Sequence, residues 1–290
     1  MILSEVLYEK DQNMKDNVRV SFIGGGNMAE AIISNIISNG LIAPKNLLVS
    51  EPVESRREHL SVAYDISSYS DTKKLLLDIN EPKTPTVIVI AVKPQQLHQV
   101  TRELNSIVSK EHVILSIVAG VSIHTLTQSL EHDAIIRVMP NTPAQIGKGM
   151  SVWAVTETVS DIYVDFTRAM LQALGSEILV DDEKYIDMAT ALSGSGPAYV
   201  FMFLEAMIDA GVYIGLSRDI SSKLAIQTVL GSIELVDQTN KQPSDLRALV
   251  TSPGGTTAEA VLVLEEEGFR SAILNAVIAA YNKAVLLGKQ

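Results

Sequence analysis

Up to about Val180 the chain alternates short apolar runs with stretches of helical periodicity. Val18 to Ile23, Leu47 to Val49, Val87 to Val92, Val113 to Val118, Ile135 to Met139 and Met150 to Val155 are rich in β-branched residues and nearly continuous in apolar character. Such runs predict strands buried on both faces, and helical patterns between most of them predict a parallel sheet covered on either side, an α/β doubly wound domain. Beyond about Asp182 the strand pattern stops. Lys184 to Leu192, Ala198 to Ile214, Ile220 to Gln238, Ser244 to Val250, Ala258 to Glu267 and Phe269 to Leu287 read as helices, with Pro197, Pro243 and Pro253 at their starts or breaks. The expected organisation is an N-terminal extension over 1–15, an α/β domain over 16–182 and an all-helical domain over 183–290.

Composition fits this picture. The chain has 290 residues, 47% of them hydrophobic and 20% charged, as in a globular protein with room for two cores. No continuous apolar run of roughly 18 residues stands out as a bilayer span, and the N-terminus lacks the basic start and apolar core of a secretory signal. A cytoplasmic protein is expected, with residues 1–15 flexible and outside the fold. A net charge of −11 disfavours nucleic acid and anionic membrane as partners. The absence of cysteine excludes disulfides, thiolate metal sites and thiol catalysis, and no metal site is expected. So many apolar helix faces after Asp182 predict burial against a second copy, a homodimer, with a compact monomeric bundle as the alternative.

The segment "VRVSFIGGGNMAEAIISNII" sets Gly24, Gly26 and Ala29 in a G-x-G-x-x-A pattern between the first strand and the first helix. Gly24 permits the tight turn, Gly26 lets a pyrophosphate approach the backbone, and Ala29 lets helix and sheet pack closely. Asn27 and Met28 open a helix whose N-terminus favours an anion. This is the fingerprint of a dinucleotide-binding, Rossmann-type domain. At the end of the second strand Ser50 and Glu51 fall where an acid would hold the ribose 2′-hydroxyl of NAD, roughly 25 residues beyond Gly26. Arg56 and Arg57 follow and read either as holders of the 2′-phosphate of NADP or as solvated helix residues, so NADH and NADPH both stay open. Ala91, Val92, Lys93 and Pro94 end the third apolar strand, Ala119 and Gly120 the fourth, and Asn141 lies in the proline-marked loop after the fifth. Ligands of open α/β sheets bind at such strand ends. Lys93 reads equally as a cofactor contact and as a solvated loop lysine.

A ketone-reducing enzyme needs a proton donor such as His or Lys. His59, His98, His112, His124 and His132 all fall in the first domain and are expected at the surface, and no Lys or His occurs between Ala191 and Leu216. Hydroxyacid dehydrogenase chemistry is therefore disfavoured. An imine asks less, since its nitrogen is protonated before hydride arrives and positioning by a hydroxyl suffices. Near the C-terminal end, "TSPGGTTAEAVLVLEEEG" supplies a capping box, Thr256 with Glu259, which leaves the doubled glycine, Gly254 and Gly255, without a local explanation.

These segments resemble one family. "SGSGPAY" and "LVTSPGGTTAEAVLVLEEEGFRSAILNAV", together with "IGGGNMAEAI", "AVKPQ", "SIVAGV" and "RVMPNTPA", are similar to the signature regions of pyrroline-5-carboxylate reductases, over a match running from about Val18 to the last helix. The resemblance implies a Rossmann-type domain followed by an all-α dimerisation domain, in dimers that some relatives assemble into rings. It implies hydride transfer from NADPH or NADH to C5 of 1-pyrroline-5-carboxylate, giving L-proline. It places the substrate carboxylate on Ser252, Gly255, Thr256 and Thr257 of the partner subunit, with Thr257 nearest the imine nitrogen, and sets Ser195, Gly196 and Pro197 against the nicotinamide. The chain departs from the family where "SYSDTKKLL" puts Thr72 in place of an asparagine on the cofactor ribose, and the connection "LLLDINEPKTPTVIVI" is longer than usual. The alternative is a paralogue acting on another cyclic imine, or one that binds the cofactor without catalysis.

Overall fold

The computed structural model describes residues 18–79, 85–105 and 107–288. The expected extension over 1–15 and the middle of the long connection after Leu77 lie outside the described residues. Eight strands form one sheet in the order β3-β2-β1-β4-β5-β6-β7-β8, with β1 Arg19–Ile23, β2 Leu47–Ser50, β3 Ser67–Tyr69, β4 Thr86–Ile90, β5 Val113–Ser116, β6 Ile135–Met139, β7 Gly149–Val155 and β8 Gly175–Leu179. The first six run parallel in the doubly wound order, reversing direction of winding between β1 and β4. β7 then pairs antiparallel with β6, and β8 parallel with β7.

Alternation along each strand explains why one sequence fills two layers. Val20 and Phe22 pack with Val49, Val87, Val89 and Leu115 on one face, whereas Ile23, Leu48, Ile88, Ile90 and Ile114 pack on the other. Helices α1 Asn27–Ser38, α2 Glu54–Tyr64 and α6 Asp161–Leu174 bring buried residues to the first cluster, among them Ile32, Leu60 and Met170. α3 Thr72–Ile79, α4 Leu97–Asn105 and α5 Ile123–Leu130 bring Leu75, Leu104 and Leu126 to the second.

Three features depart from the sequence expectation. The strand predicted at Met150 is present but antiparallel, because only a 3-10 turn, Thr142–Ile146, separates β6 from β7 and a parallel crossover needs a longer connection. Strands β3 and β8 went unpredicted. Both are sheet edges with part-exposed residues, so neither carries the buried apolar run that marks an inner strand. Two of the five histidines are not at the surface: His112 and His132 are buried, and the ring Nε2 of His132 bonds the carbonyl of His112 at 2.8 Å.

The chain forms two compact units, the first running to Gly194 and taking in Tyr281–Gln290, the second spanning Ser195–Ala280. The first unit thus extends past the boundary expected at Asp182. α7 Lys184–Ala189 belongs to it, because Ile186 packs with Val152 and Ala154, and Arg137 of β6 bonds Glu183 at 2.5 Å and Asp187 at 2.7 Å. The second unit is helical: α8 Gly196–Tyr213, α9 Arg218–Thr239, α10 Pro243–Leu249, α11 Thr256–Glu266 and most of α12 Phe269–Leu287. Within Ser195–Ala280 only Ser221 and Ala225 are buried. Phe201, Met202, Ile214, Leu224, Ile233, Leu264 and Leu274 are among its exposed apolar side chains. A helical unit with no core of its own has its apolar faces waiting for another surface.

The stretch Lys184–Tyr213, made of α7, a π turn over Thr190–Gly194 and α8, contains an 18-residue window of mean hydropathy 1.2, long and apolar enough by those measures alone to cross a membrane. Ser193, Ser195, Glu205 and Asp209 interrupt it, so it holds no unbroken apolar run of that length.

Candidate active site

The carboxyl edge of the parallel strands carries a cleft of about 380 Å³, lined by Gly24 and Gly26, by Ser50 and Glu51 with Pro52 and Val53, by Ser70, Asp71 and Thr72, and by Ala91, Val92 and Lys93. Four strand ends meet here, those of β1, β2, β3 and β4. Gly24 adopts φ 98°, and a Cβ there would lie 2.7 Å from the carbonyl oxygen of Ala91. Only glycine makes this turn and approaches the neighbouring strand so closely. At Gly26 an added Cβ would meet nothing within 4 Å. The glycine therefore leaves open space rather than avoiding a protein neighbour, as expected where a ligand lies against the backbone. Gly26 is also the N-cap of α1, with no side-chain hydrogen bond at the cap. The first N–H groups of the helix face the cleft edge uncapped and suit a pyrophosphate. The residues present thus fit a dinucleotide.

Charge in and around the cleft follows from side-chain commitments. Glu51 accepts from Gly25 N–H through Oε2 and from Val53 N–H through Oε1, each at 2.9 Å. Arg56 donates through Nε to the Gly25 carbonyl at 2.6 Å and pairs with Glu30 at 2.5 Å. Arg57 donates to the carbonyls of Glu51 and Pro52, both at 2.8 Å. Burial pushes the Glu30 carboxyl up, but hydrogen bonds from His59, Arg56 and Tyr64 outweigh it and hold the carboxyl below its ordinary value. Neither arginine lines the cleft. Thr72 is buried at the start of α3, 3.4 Å from Ser50 Oγ.

Other predicted residues fall outside this lining. Asn27 and Met28 begin α1, with Met28 against the core, and Pro94 opens a 3-10 turn. Gly120, at φ 71°, lies under Leu287, whose Cβ would be 2.7 Å from an added methyl, and Ala119 precedes it in the same turn. The amide of Asn141 is engaged internally, donating to Ser193 O at 3.0 Å and accepting from Met150 N–H at 2.8 Å. Sequence reasoning missed Gln96, Gln99 and Glu103, which line the cleft with Val100 at helical spacing from the start of α4. Their i, i+3, i+4, i+7 pattern was the available signal.

In the second unit, Ser195 is the N-cap of α8 and Gly196 and Pro197 its first residues. Around Ser252 to Gly255 the chain turns tightly, with Gly254 at φ 67° and Gly255 N–H donating to Ser252 O at 3.0 Å. The expected capping box is absent. Gly255, extended at φ −86°, is the cap of α11, Thr256 is already helical, and no side chain bonds the cap. A glycine cap in place of a hydroxyl cap leaves the N–H groups of Thr256 and Thr257 uncapped beside their own hydroxyls, with Thr257 half-buried.

The comparisons with known proteins agree with this geometry. The family described as "Pyrroline-5-carboxylate reductase dimerisation" matches residues 183–287, and "NADP oxidoreductase coenzyme F420-dependent" matches residues 19–120. The pyrroline-5-carboxylate reductase of Synechocystis is 41% identical over 94% of this chain and 100% of its own length. The chain belongs to the pyrroline-5-carboxylate reductase family. The Arabidopsis thaliana pyrroline-5-carboxylate reductase is 36% identical over 93% of this chain and 95% of its own. A solved Plasmodium falciparum pyrroline carboxylate reductase with NADP bound has a TM-score of 0.84 and 31% identity, over 95% of this chain and 99% of that one.

Proposed function

We infer that the protein reduces 1-pyrroline-5-carboxylate to L-proline with NADPH or NADH, adding hydride to C5 of the imine. The observation that carries this is the open backbone at Gly26, uncapped at the start of α1, in a chain whose full-length relatives are pyrroline-5-carboxylate reductases. The dinucleotide, when bound, supplies the hydride. The chain's own groups bind and orient: Gly24, Gly26, Asn27 and Met28 take the pyrophosphate, Ser50 and Glu51 the adenosine ribose, and Ala91, Val92, Lys93 and Pro94 the middle of the cofactor. Ala119, Gly120 and Asn141 form the floor, Asn141 by fixing Ser193 and Met150. Ser195, Gly196 and Pro197 flank the nicotinamide.

The substrate carboxylate rests on Ser252, Gly255, Thr256 and Thr257, a reading supported by a helix start at α11 that no side chain caps. Thr257 positions the imine nitrogen, which water protonates before reduction, so no strong acid is required. The protein acts as a homodimer in the cytoplasm, its second unit burying apolar helix faces against a twin rather than a membrane, and each turn serves the partner's cleft. Dimers assemble further into a ring. The test is oxidation of NADPH and NADH followed at 340 nm with pyrroline-5-carboxylate, and with keto acids as controls. Turnover on the imine alone is expected, and no turnover with either cofactor refutes the reading.

A further inference from the structure

We propose that Glu51 sets the cofactor preference of this chain and directs it to NADH over NADPH. This rests on the reading that the cleft binds a nicotinamide dinucleotide. On this topology the adenosine ribose lies outside the end of the second strand, which is where Glu51 stands. Its two carboxylate oxygens are fixed by the N–H groups of Gly25 and Val53. Each oxygen retains a further lone pair, so the fixed carboxylate accepts readily from a 2′-hydroxyl. A 2′-phosphate offers acceptors and close to two negative charges, and meets the carboxylate with repulsion.

The cations that could reverse this are turned elsewhere. Arg56 is held by Glu30 and by the carbonyl of Gly25, and Arg57 by the carbonyls of Glu51 and Pro52. Among the described residues lining the cleft, Glu51, Asp71 and Glu103 are acidic and only Lys93 is basic. Asp71 lies 3.5 Å from Lys74, an exposed pair that water screens. Pyrophosphate tolerates this wall because α1 receives it, whereas at the end of the second strand the N–H groups of Gly25 and Val53 are already taken by Glu51. The solved Plasmodium falciparum relative holds NADP, and Glu51 sets this chain apart from a protein that accepts that cofactor.

The experiment measures dissociation constants of NADH and NADPH for the full-length protein by nicotinamide fluorescence, without imine. NADH is expected to bind at least about tenfold more tightly, roughly 1.4 kcal/mol, with the gap narrowing as salt rises. Glu51→Gln should tighten NADPH about fivefold and weaken NADH, while Arg56→Gln should weaken both alike. Equal or tighter NADPH binding by the unmodified protein overturns the proposal. So does a gap indifferent to salt, which would mean exclusion by shape, and so does selective loss of NADPH in R56Q, which would put Arg56 on the 2′-phosphate. If E51Q does not fold, the salt series and R56Q still decide. Binding of neither dinucleotide would refute the cofactor reading itself.

Discussion

The N–H of Gly255 donates to the carbonyl oxygen of Ser252 across 3.0 Å, with Pro253 and Gly254 between them and Gly254 at φ 67°. Proline second and a positive-φ glycine third are the requirements of a type II turn. A methyl on Gly255 would come within 2.8 Å of Ser252 Oγ and 3.1 Å of its carbonyl. Gly255→Ala therefore displaces Ser252 without touching a core. A drop of about tenfold or more in kcat/KM for the imine is expected, with dinucleotide affinity and thermal midpoint nearly unchanged. An unchanged kcat/KM would remove the turn from the substrate site.

Thr257 follows that turn by two residues and is half-buried at the start of α11. Thr257→Ala should lower kcat/KM by one to two orders of magnitude, roughly 1.4 to 2.8 kcal/mol of transition-state stabilisation. Thr257→Ser should recover most of it, since the hydroxyl is kept. Steady-state kinetics of the two variants side by side check this, and equal loss in both would assign the effect to the methyl group.

Gly26 separates folding from binding. An added methyl meets no protein atom within 4 Å, and φ −69° suits alanine, so Gly26→Ala should fold normally and lose at least about tenfold in dinucleotide affinity. Gly24→Ala should instead fold poorly, because its φ is 98° and its neighbour is strand backbone. Mixed dimers of a Gly26 variant with a Thr257 variant should regain part of the activity that neither has alone. Mixed dimers that form and stay inactive would contradict a site shared between subunits.

His112 makes stability depend on pH. It is buried, and its Nδ1 accepts from Ser109 N–H at 3.1 Å, which requires that nitrogen to be unprotonated. Burial first, and His132 second, hold its pKa below the ordinary value, against a smaller opposite pull from Glu111. Below about pH 6.5 the unfolded chain takes up a proton that the folded chain refuses, so stability falls as pH drops, by at most about 1.4 kcal/mol per pH unit for one group. Urea unfolding at pH 7.5 and 5.5 should show the loss in the natural protein and a smaller one in His112→Gln. Identical losses would exclude His112 as the cause.

Arg137 is buried in the sheet, with its guanidinium divided between Glu183 and Asp187. Breaking a buried pair from one side costs roughly 3 to 5 kcal/mol, and the partial exposure of both carboxylates puts Glu183→Ala near the lower end, about 3 kcal/mol. Glu183 also accepts from Ile123 N–H at 2.7 Å, so the loss extends to the start of α5. Chemical denaturation measures it, and a loss under about 1 kcal/mol would show that Asp187 alone suffices.

Much of this was legible in the chain because period and glycine placement report buried backbone directly. The inner strands announced themselves through Val, Ile and Leu on both faces, and the turn at Gly24 through a spacing that few other structures need. The edge strands Ser67–Tyr69 and Gly175–Leu179 left no such mark, since half-exposed residues obey no strict apolar rule. Thr256 looked like a cap because hydroxyl residues usually are. The turn before it instead carries the chain into the helix one residue earlier, and a glycine caps it. Burial of His112 and His132 depends on partners brought together across the sheet and its flanking loops, which no local pattern encodes. Cleft residues of α4 were readable as a helical stripe, but only the fold says that the stripe faces the strand ends.

The helices between Ser195 and Ala280 bury only Ser221 and Ala225 among themselves. A lone chain in dilute solution therefore carries an oily surface that water penalises and that any similar surface will adhere to. Meeting a second copy is then the closing stage of folding rather than an event that follows it. The concentration of newly made chains governs how long that surface stays uncovered, and a defect in pairing would show itself as precipitation before it showed itself as lost turnover.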